Sequence, residues 1–258
     1  MSLSLREAVL ARESLVGTTV TLTDTSLAEL LAEPFDLIWI DLEHATIGPL
    51  EAQEIMIGAQ AAGTYVLVRM PAQDHHLMMQ MLDAGADGVV LADVRDASTA
   101  ATAARFTRHP PDGDRGFGPR RVSLRRRSAG APAGQPSLWA QIESEQGRRN
   151  AGEIASIEGV DAVVIGTADL SFALGSPLDT GSTQMREAVD EIREAVIGAG
   201  AVFGIAGALD GNAPALSVGA SILVLGTDAR LCAGAVDAAA GRMREILQDH
   251  DPKEMQPS

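Results

Sequence analysis

Eight short apolar runs recur along this chain, with helical stretches between and after them, and that alternation restricts the fold more than any compositional total. The runs are Leu15–Leu22, Phe35–Asp41, Tyr65–Arg69, Gly88–Ala92, Leu138–Glu143, Asp161–Ile165, Ala201–Ile205 and Ser221–Leu225. Each is short, rich in Val, Ile and Leu, and apolar without alternation, the pattern of a strand covered on both faces. Between them lie helical stretches. One is capped by Thr25 or Ser26, one spans about 50–62 and is closed by Gly63, and one spans about 74–83 before Gly85. Others run to about Arg108, from the fifth strand to about Ile157, and over 183–198. Strands alternating with helices imply βαβ units, a parallel sheet and right-handed crossovers. Eight units predict a (β/α)₈ TIM barrel. A doubly wound open sheet is the alternative, but no G-x-G-x-x-G follows the first strand. The 258 residues suit a single barrel domain, with a long Pro-, Gly- and Arg-rich loop at about 109–137 and a polar tail at about 248–258.

In a barrel the C-terminal strand ends meet on one face, so the residues there can be read together. They are Asp41, Glu43 and His44, then Arg69, then Gln141 and Glu143, then Asp169. Glu143 and Asp169 each follow an apolar strand. Two carboxylates that converge repel unless a proton or cation sits between them, and oxygen ligands without cysteine suit Mg²⁺ or Mn²⁺ better than zinc. The alternative is that each caps the next helix. Arg69 keeps its charge and needs an anion: a substrate carboxylate or enolate, or Asp41 or Glu43 in a structural pair. His44, beside Asp41 as an orienter, has the arrangement of a general base.

Composition narrows the chemistry. Lys253 is the only lysine, so the body of the chain cannot form a Schiff base with substrate or pyridoxal phosphate. Any reaction that builds negative charge on a substrate then has a metal ion and an arginine as its available electron sinks. A net charge of −15 argues against nucleic acid and anionic membranes as partners. One cysteine, Cys232, excludes an internal disulfide, and the absence of a membrane-length apolar run or secretory segment predicts a cytoplasmic protein.

Six motifs in order, I-D-L-E-H at Asp41–His44, V-R-M-P around Arg69, M-L-D-A-G-A around Asp83, P-P-D-G-D-R-G-F-G around Arg115, Q-I-E at Gln141–Glu143 and I-G-T-A-D-L-S around Asp169, resemble one family. It is the class II, metal-dependent pyruvate aldolases of the hydroxyheptenedioate and 2-keto-3-deoxy-sugar-acid kind, the HpcH/HpaI group, over about 17–230. The resemblance implies a barrel of the phosphoenolpyruvate/pyruvate-binding type that cleaves, or forms, a 2-keto-4-hydroxy acid to pyruvate plus an aldehyde through a metal-stabilised pyruvate enolate. It implies that Glu143 and Asp169 hold the divalent cation (Mg²⁺ or Mn²⁺, with Co²⁺ a further candidate). Gln141, Gly166, Thr167 and the backbone N–H of Ala168 would line the pyruvate site. Arg69 would stabilise the enolate charge, and His44 would be the acid/base, acting through a water. The family assigns the aspartate matching Asp83 to raising that histidine's basicity, from a neighbouring subunit; Asp41 is the second candidate. Hexamers built from dimers are also implied, and the Ala-rich final helix could supply an exchanged contact.

The sequence departs from the family pattern in places. Thr167 stands where proline is usual, Ala92-Asp93 replaces Pro-Met, and Phe117 and Pro119-Arg120-Arg121 replace small residues. These changes bear on the acceptor aldehyde more than on the pyruvate half. The basic run at 120–127 reads as a lid attracting an anionic substrate, as a solvated or subunit-contact segment, or as a coenzyme A phosphate site. Rival functions are oxaloacetate decarboxylation, citrate-lyase-like cleavage of a coenzyme A ester, other couplings of the same enolate, and a ligand-binding barrel without turnover.

Overall fold

The computed structural model describes residues 3–118, 121–124, 134–207 and 218–249. Eight parallel strands close into a barrel in chain order: β1 (Leu15–Val20), β2 (Leu37–Asp41), β3 (Tyr65–Pro71), β4 (Gly88–Ala92), β5 (Ser137–Ile142), β6 (Ala162–Gly166), β7 (Val202–Ala206) and β8 (Ile222–Thr227), with β8 pairing back onto β1. All eight runs predicted as strands are strands, with ends shifted by at most two residues. The described helices are α1 (Leu5–Leu10), α2 (Thr25–Ala32), α3 (Pro49–Ala61), α4 (His75–Ala84), α5 (Ala97–Thr107), α6 (Glu145–Arg149), α7 (Ala151–Ala155), α8 (Thr167–Ala173), α9 (Thr183–Gly198) and α10 (Asp228–Asp249).

Several boundaries differ from expectation for identifiable reasons. Asp24, not Thr25 or Ser26, caps α2 by accepting from the Leu27 N–H, because a carboxylate at this position reaches the N3 donor directly. The helix expected after β5 breaks in two at Asn150. α10 continues to Asp249, and 250–258 of the expected tail lie outside the described residues. α1 was not expected at all, although Ser4 and Glu7 form a reciprocal capping box readable in S-L-R-E. Of the long loop, 121–124 forms one helical turn, and 119–120 and 125–133 lie outside the described residues.

The strand period of two sorts each strand into an outer and an inner set. The outer set, including Ile38, Ile40, Val66, Val68, Leu138, Ala140, Val163 and Ile165, packs under the helices. The inner set contains Leu37, Trp39, Leu67, Val90, Trp139, Ala162, Val164, Val202, Ile222 and Val224, and Leu5 and Val9 of α1 join it. The inner residues continue upward at the same parity: Leu37 and Trp39 to Asp41, Leu67 to Arg69, Trp139 to Gln141, Val164 to Gly166. The barrel register sets Asp41 opposite Arg69 and Gln141 opposite Val164. The polar residues at the mouth are therefore the top layer of the barrel interior, resting on the two tryptophans.

Candidate active site

Asp41 is 2% exposed and accepts a two-toothed grip from Arg69, Nε to Oδ1 at 3.0 Å and Nη2 to Oδ2 at 2.7 Å. The backbone N–H groups of Glu43 and His44 also donate to Asp41 Oδ1, at 3.0 and 3.3 Å. Burial works to raise the Asp41 carboxyl, but Arg69 and these two N–H groups outweigh it and hold it below the usual aspartate range. Arg69 also lies 3.4 Å from Glu43 Oε2 and 5.6 Å above the Trp39 ring. Its planar fork and permanent charge suit it to sit between an acid layer and an aromatic floor. Of the alternatives for Arg69, the structural pair with Asp41 and Glu43 is present. His44 projects from the mouth, 63% exposed, with Nε2 at 3.7 Å from Glu43 Oε2. Asp41 therefore fixes the backbone beneath His44 and grips Arg69, while the imidazole's near neighbour is Glu43.

Glu143 follows β5 and is 7% exposed. Its Oε1 accepts from the Asp93 N–H at 2.8 Å, and its Oε2 accepts from Gln141 Nε2 in a short contact. Burial pushes its carboxyl from an ordinary 4.5 up to about 7, helped by the negative charges of Glu43 and Asp169 and opposed by Arg69. Glu43 is also raised, by burial first, then by Asp41 and Asp169. Ser144, not Glu143, caps α6, and Asp169 lies in the first turn of α8 rather than at its cap. Neither acid is spent as a helix cap. Asp169 and Ala168 are exposed at the mouth, and no side chain caps α8. Gly166 is required here by space: a Cβ would land on Glu143 Oε2 and 2.5 Å from Gln141 Nε2. Thr167 is buried and turns its hydroxyl to the Ala206 carbonyl at 3.0 Å, so it serves as packing behind the mouth.

Two acceptor oxygens in this cluster, Glu43 Oε2 and Gln141 Oε1, are buried without a hydrogen-bond partner. Buried acceptors without donors are costly, and with three mutually repelling acids they form a donor set that a hard divalent cation fits. Among the described residues no three His, Cys, Asp or Glu side chains form a metal-ligand group. Glu43 is the member whose weight the sequence understated, because only the barrel's closure shows it facing Glu143 and Asp169.

Asp83 is not part of this cluster. It sits in the last turn of α4, which runs back from the mouth, and its Oδ1 accepts from Arg115 Nη2 at 2.7 Å. Arg121 lies at the same far end, bonded to Gln60 Oε1 and the Ala84 carbonyl, both at 2.9 Å. That residue of the basic run is not over the mouth of its own barrel; Arg120 and Arg125–Arg127 lie outside the described residues.

Comparison with known proteins agrees with the geometry. The family described as HpcH/HpaI aldolase/citrate lyase matches residues 20–235. A hydroxypyruvate/pyruvate aldolase of Deinococcus radiodurans is 31% identical over 99% of this chain and 95% of its own. A 4-hydroxy-2-oxo-heptane-1,7-dioate aldolase of Shigella flexneri is 32% identical over 94% and 93%. Among solved structures, an HpcH/HpaI aldolase/citrate lyase family protein from Burkholderia cenocepacia superposes with a TM-score of 0.85 at 29% identity, covering 94% of this chain and all of the other. With the barrel, the order of its motifs and these relatives in agreement, the chain belongs to the HpcH/HpaI aldolase/citrate lyase family of carbon–carbon lyases.

Proposed function

We propose that this chain is a class II aldolase that cleaves a 2-keto-4-hydroxy acid to pyruvate and an aldehyde, with Glu143 and Asp169 holding a divalent cation, Mg²⁺ or Mn²⁺. The observation that carries the reading is the acid layer itself. Burial first, and then the negative charge of Asp169, raise the proton affinity of both Glu143 and Glu43 beside Arg69, with acceptor oxygens left over, in a chain whose only lysine is Lys253. A cation bound there would polarise the keto group and lower the cost of the negative charge that cleavage leaves on its oxygen.

The protein's own groups account for the remaining steps. His44, at the open mouth, takes the proton from the substrate's C4 hydroxyl, through a water. The C3–C4 bond breaks, the aldehyde leaves, and the electron pair moves toward the keto oxygen, where Arg69 shares the charge. Protonation at C3 then gives pyruvate. Asp41 holds Arg69 in a fixed orientation and pins the N–H groups of residues 43 and 44. Gln141, Gly166 and the Ala168 N–H border the space for pyruvate, with Thr167 behind them.

The reading includes a cytoplasmic homo-oligomer. α10 supports the assembly: Val236, Met243 and Leu247 lie on one stripe of it and are 65%, 65% and 72% exposed. A long helix so little covered by its own chain gains stability only by packing on something else. In such an assembly Asp83 would act on the His44 of a neighbouring protomer, since its own His44 is at the other end of the barrel.

Pyruvate release from 2-keto-4-hydroxy acids with added Mn²⁺ tests the function. His44→Ala should lose nearly all cleavage yet still bind Mn²⁺, and should still decarboxylate oxaloacetate, which has no hydroxyl proton to remove. Glu143→Gln should lose both reactions. A wild-type protein that decarboxylates oxaloacetate but cleaves none of a panel of hydroxy-keto acids would favour the decarboxylase reading. One that fails even to exchange pyruvate C3 protons would be a binding barrel.

A further inference from the structure

The turn after β4 is tied to the end of β5 and to the segment beyond it at three points. The Asp93 N–H donates to Glu143 Oε1 at 2.8 Å, the Val94 N–H donates to the Gln141 carbonyl at 2.9 Å, and Asn150 Nδ2 donates to the Arg95 carbonyl at 2.7 Å. The fit is tight, because a Cβ on Gly147 would stand 2.7 Å from the Val94 carbonyl oxygen. Asp93 has φ 45°, in the left-handed region where Asn and Asp are the commonest residues besides glycine. Its carboxylate is gripped from two residues on, with Arg95 Nε and Nη2 at 2.6 and 2.5 Å from Oδ2. Its other oxygen, Oδ1, is buried without a partner. A buried acceptor of that kind is a local cost that an apolar side chain would avoid.

We propose that Asp93 and Arg95 form a splint for Glu143. The carboxylate–guanidinium fork fixes the left-handed turn, and the turn aims the Asp93 N–H at Glu143 Oε1. Glu143 Oε2 is thereby kept toward Gln141 and the acid layer. Asp93 is a positioning residue, because it acts on Glu143 and touches no substrate. The inference rests on the reading above that Glu143 holds the cation.

Mn²⁺ binding to the full chain, measured by titration calorimetry without substrate, tests it alongside melting temperature. Asp93→Val, whose branched side chain resists the left-handed conformation, should weaken Mn²⁺ binding about 10–100-fold, the usual effect of removing a group that orients a metal ligand. Arg95→Ala should weaken binding in the same direction by a smaller factor. Asp93→Asn tolerates the conformation and still accepts from Arg95, so it should keep wild-type affinity. Glu143→Gln is the control and should lose binding. If Glu143→Gln binds Mn²⁺ like the wild type, the metal reading itself fails. If it does not bind, while Asp93→Val and Arg95→Ala bind at wild-type strength, the splint fails, even where their melting temperatures fall. Should Asp93→Val not fold, Arg95→Ala decides alone, because its side chain is 58% exposed and the fold does not depend on it.

Discussion

Glu143 is the residue on which the proposed chemistry turns, and its raised carboxyl has a consequence with a definite sign. In the metal-free protein the folded carboxyl binds a proton up to about pH 7, whereas unfolded glutamate releases it near 4.5. Between those values the folded state holds more protons, so this residue's contribution to stability falls as pH rises through the window. The total change is on the order of 3 kcal/mol. Urea unfolding of wild type and Glu143→Gln across pH 4–8, with chelator present, should show the difference between them declining over that range. A divalent cation held by Glu143, as proposed, would have to displace the same proton. Apparent Mn²⁺ affinity should therefore rise with pH, by up to about tenfold per unit, and level off near 7. A flat profile would mean Glu143 is already ionised. Gly166→Ala tests the same site by space: the added methyl would displace both Glu143 and Gln141, and Mn²⁺ affinity should drop about 10–100-fold with an unchanged circular dichroism spectrum.

At the scale of elements, the inner faces of the strands carry both stability and chemistry. Trp39 and Trp139 fill the interior below the mouth, the latter with its indole N–H donating to Ser137 Oγ at 2.9 Å. At the opposite end α1 closes the barrel. Leu5 and Val9 are buried among the inner residues, and Arg6 Nε reaches the buried Asp161 at 3.0 Å. That helix owes its place to Ser4 and Glu7 at its start and to an apolar face with a cavity to fill. Leu5→Ala should cost about 2–5 kcal/mol, the range for emptying a leucine from a core. It should appear as a lower urea midpoint with little change in slope, and with cation binding retained, since the site is at the other end. Loss of Mn²⁺ binding in that variant would tie the two ends of the barrel together.

For the whole molecule, the proposed assembly rests on the exposed stripe of α10 and on Asp83. Charging the exposed stripe of α10 with Val236→Glu and Met243→Glu should reduce the mass seen by light scattering, and cleavage should fall with it if Asp83 serves a neighbour's His44. The sequence by itself determined the strand–helix alternation, the eight-unit barrel and the set of acids at the strand ends. Those are local properties: apolar runs, helix caps and residue types at the end of each run. The absence of lysine from the body of the chain likewise fixed the kind of electron sink available. Only the tertiary structure decided which of those acids face one another, because that depends on strand parity and on closure of β8 onto β1. It brought Glu43 into the layer, assigned Asp41 to Arg69, set Asp93 against Glu143 and paired Asp83 with Arg115. Which charges share a low-dielectric space is a matter of distance across the barrel, and separation along the chain does not contain it.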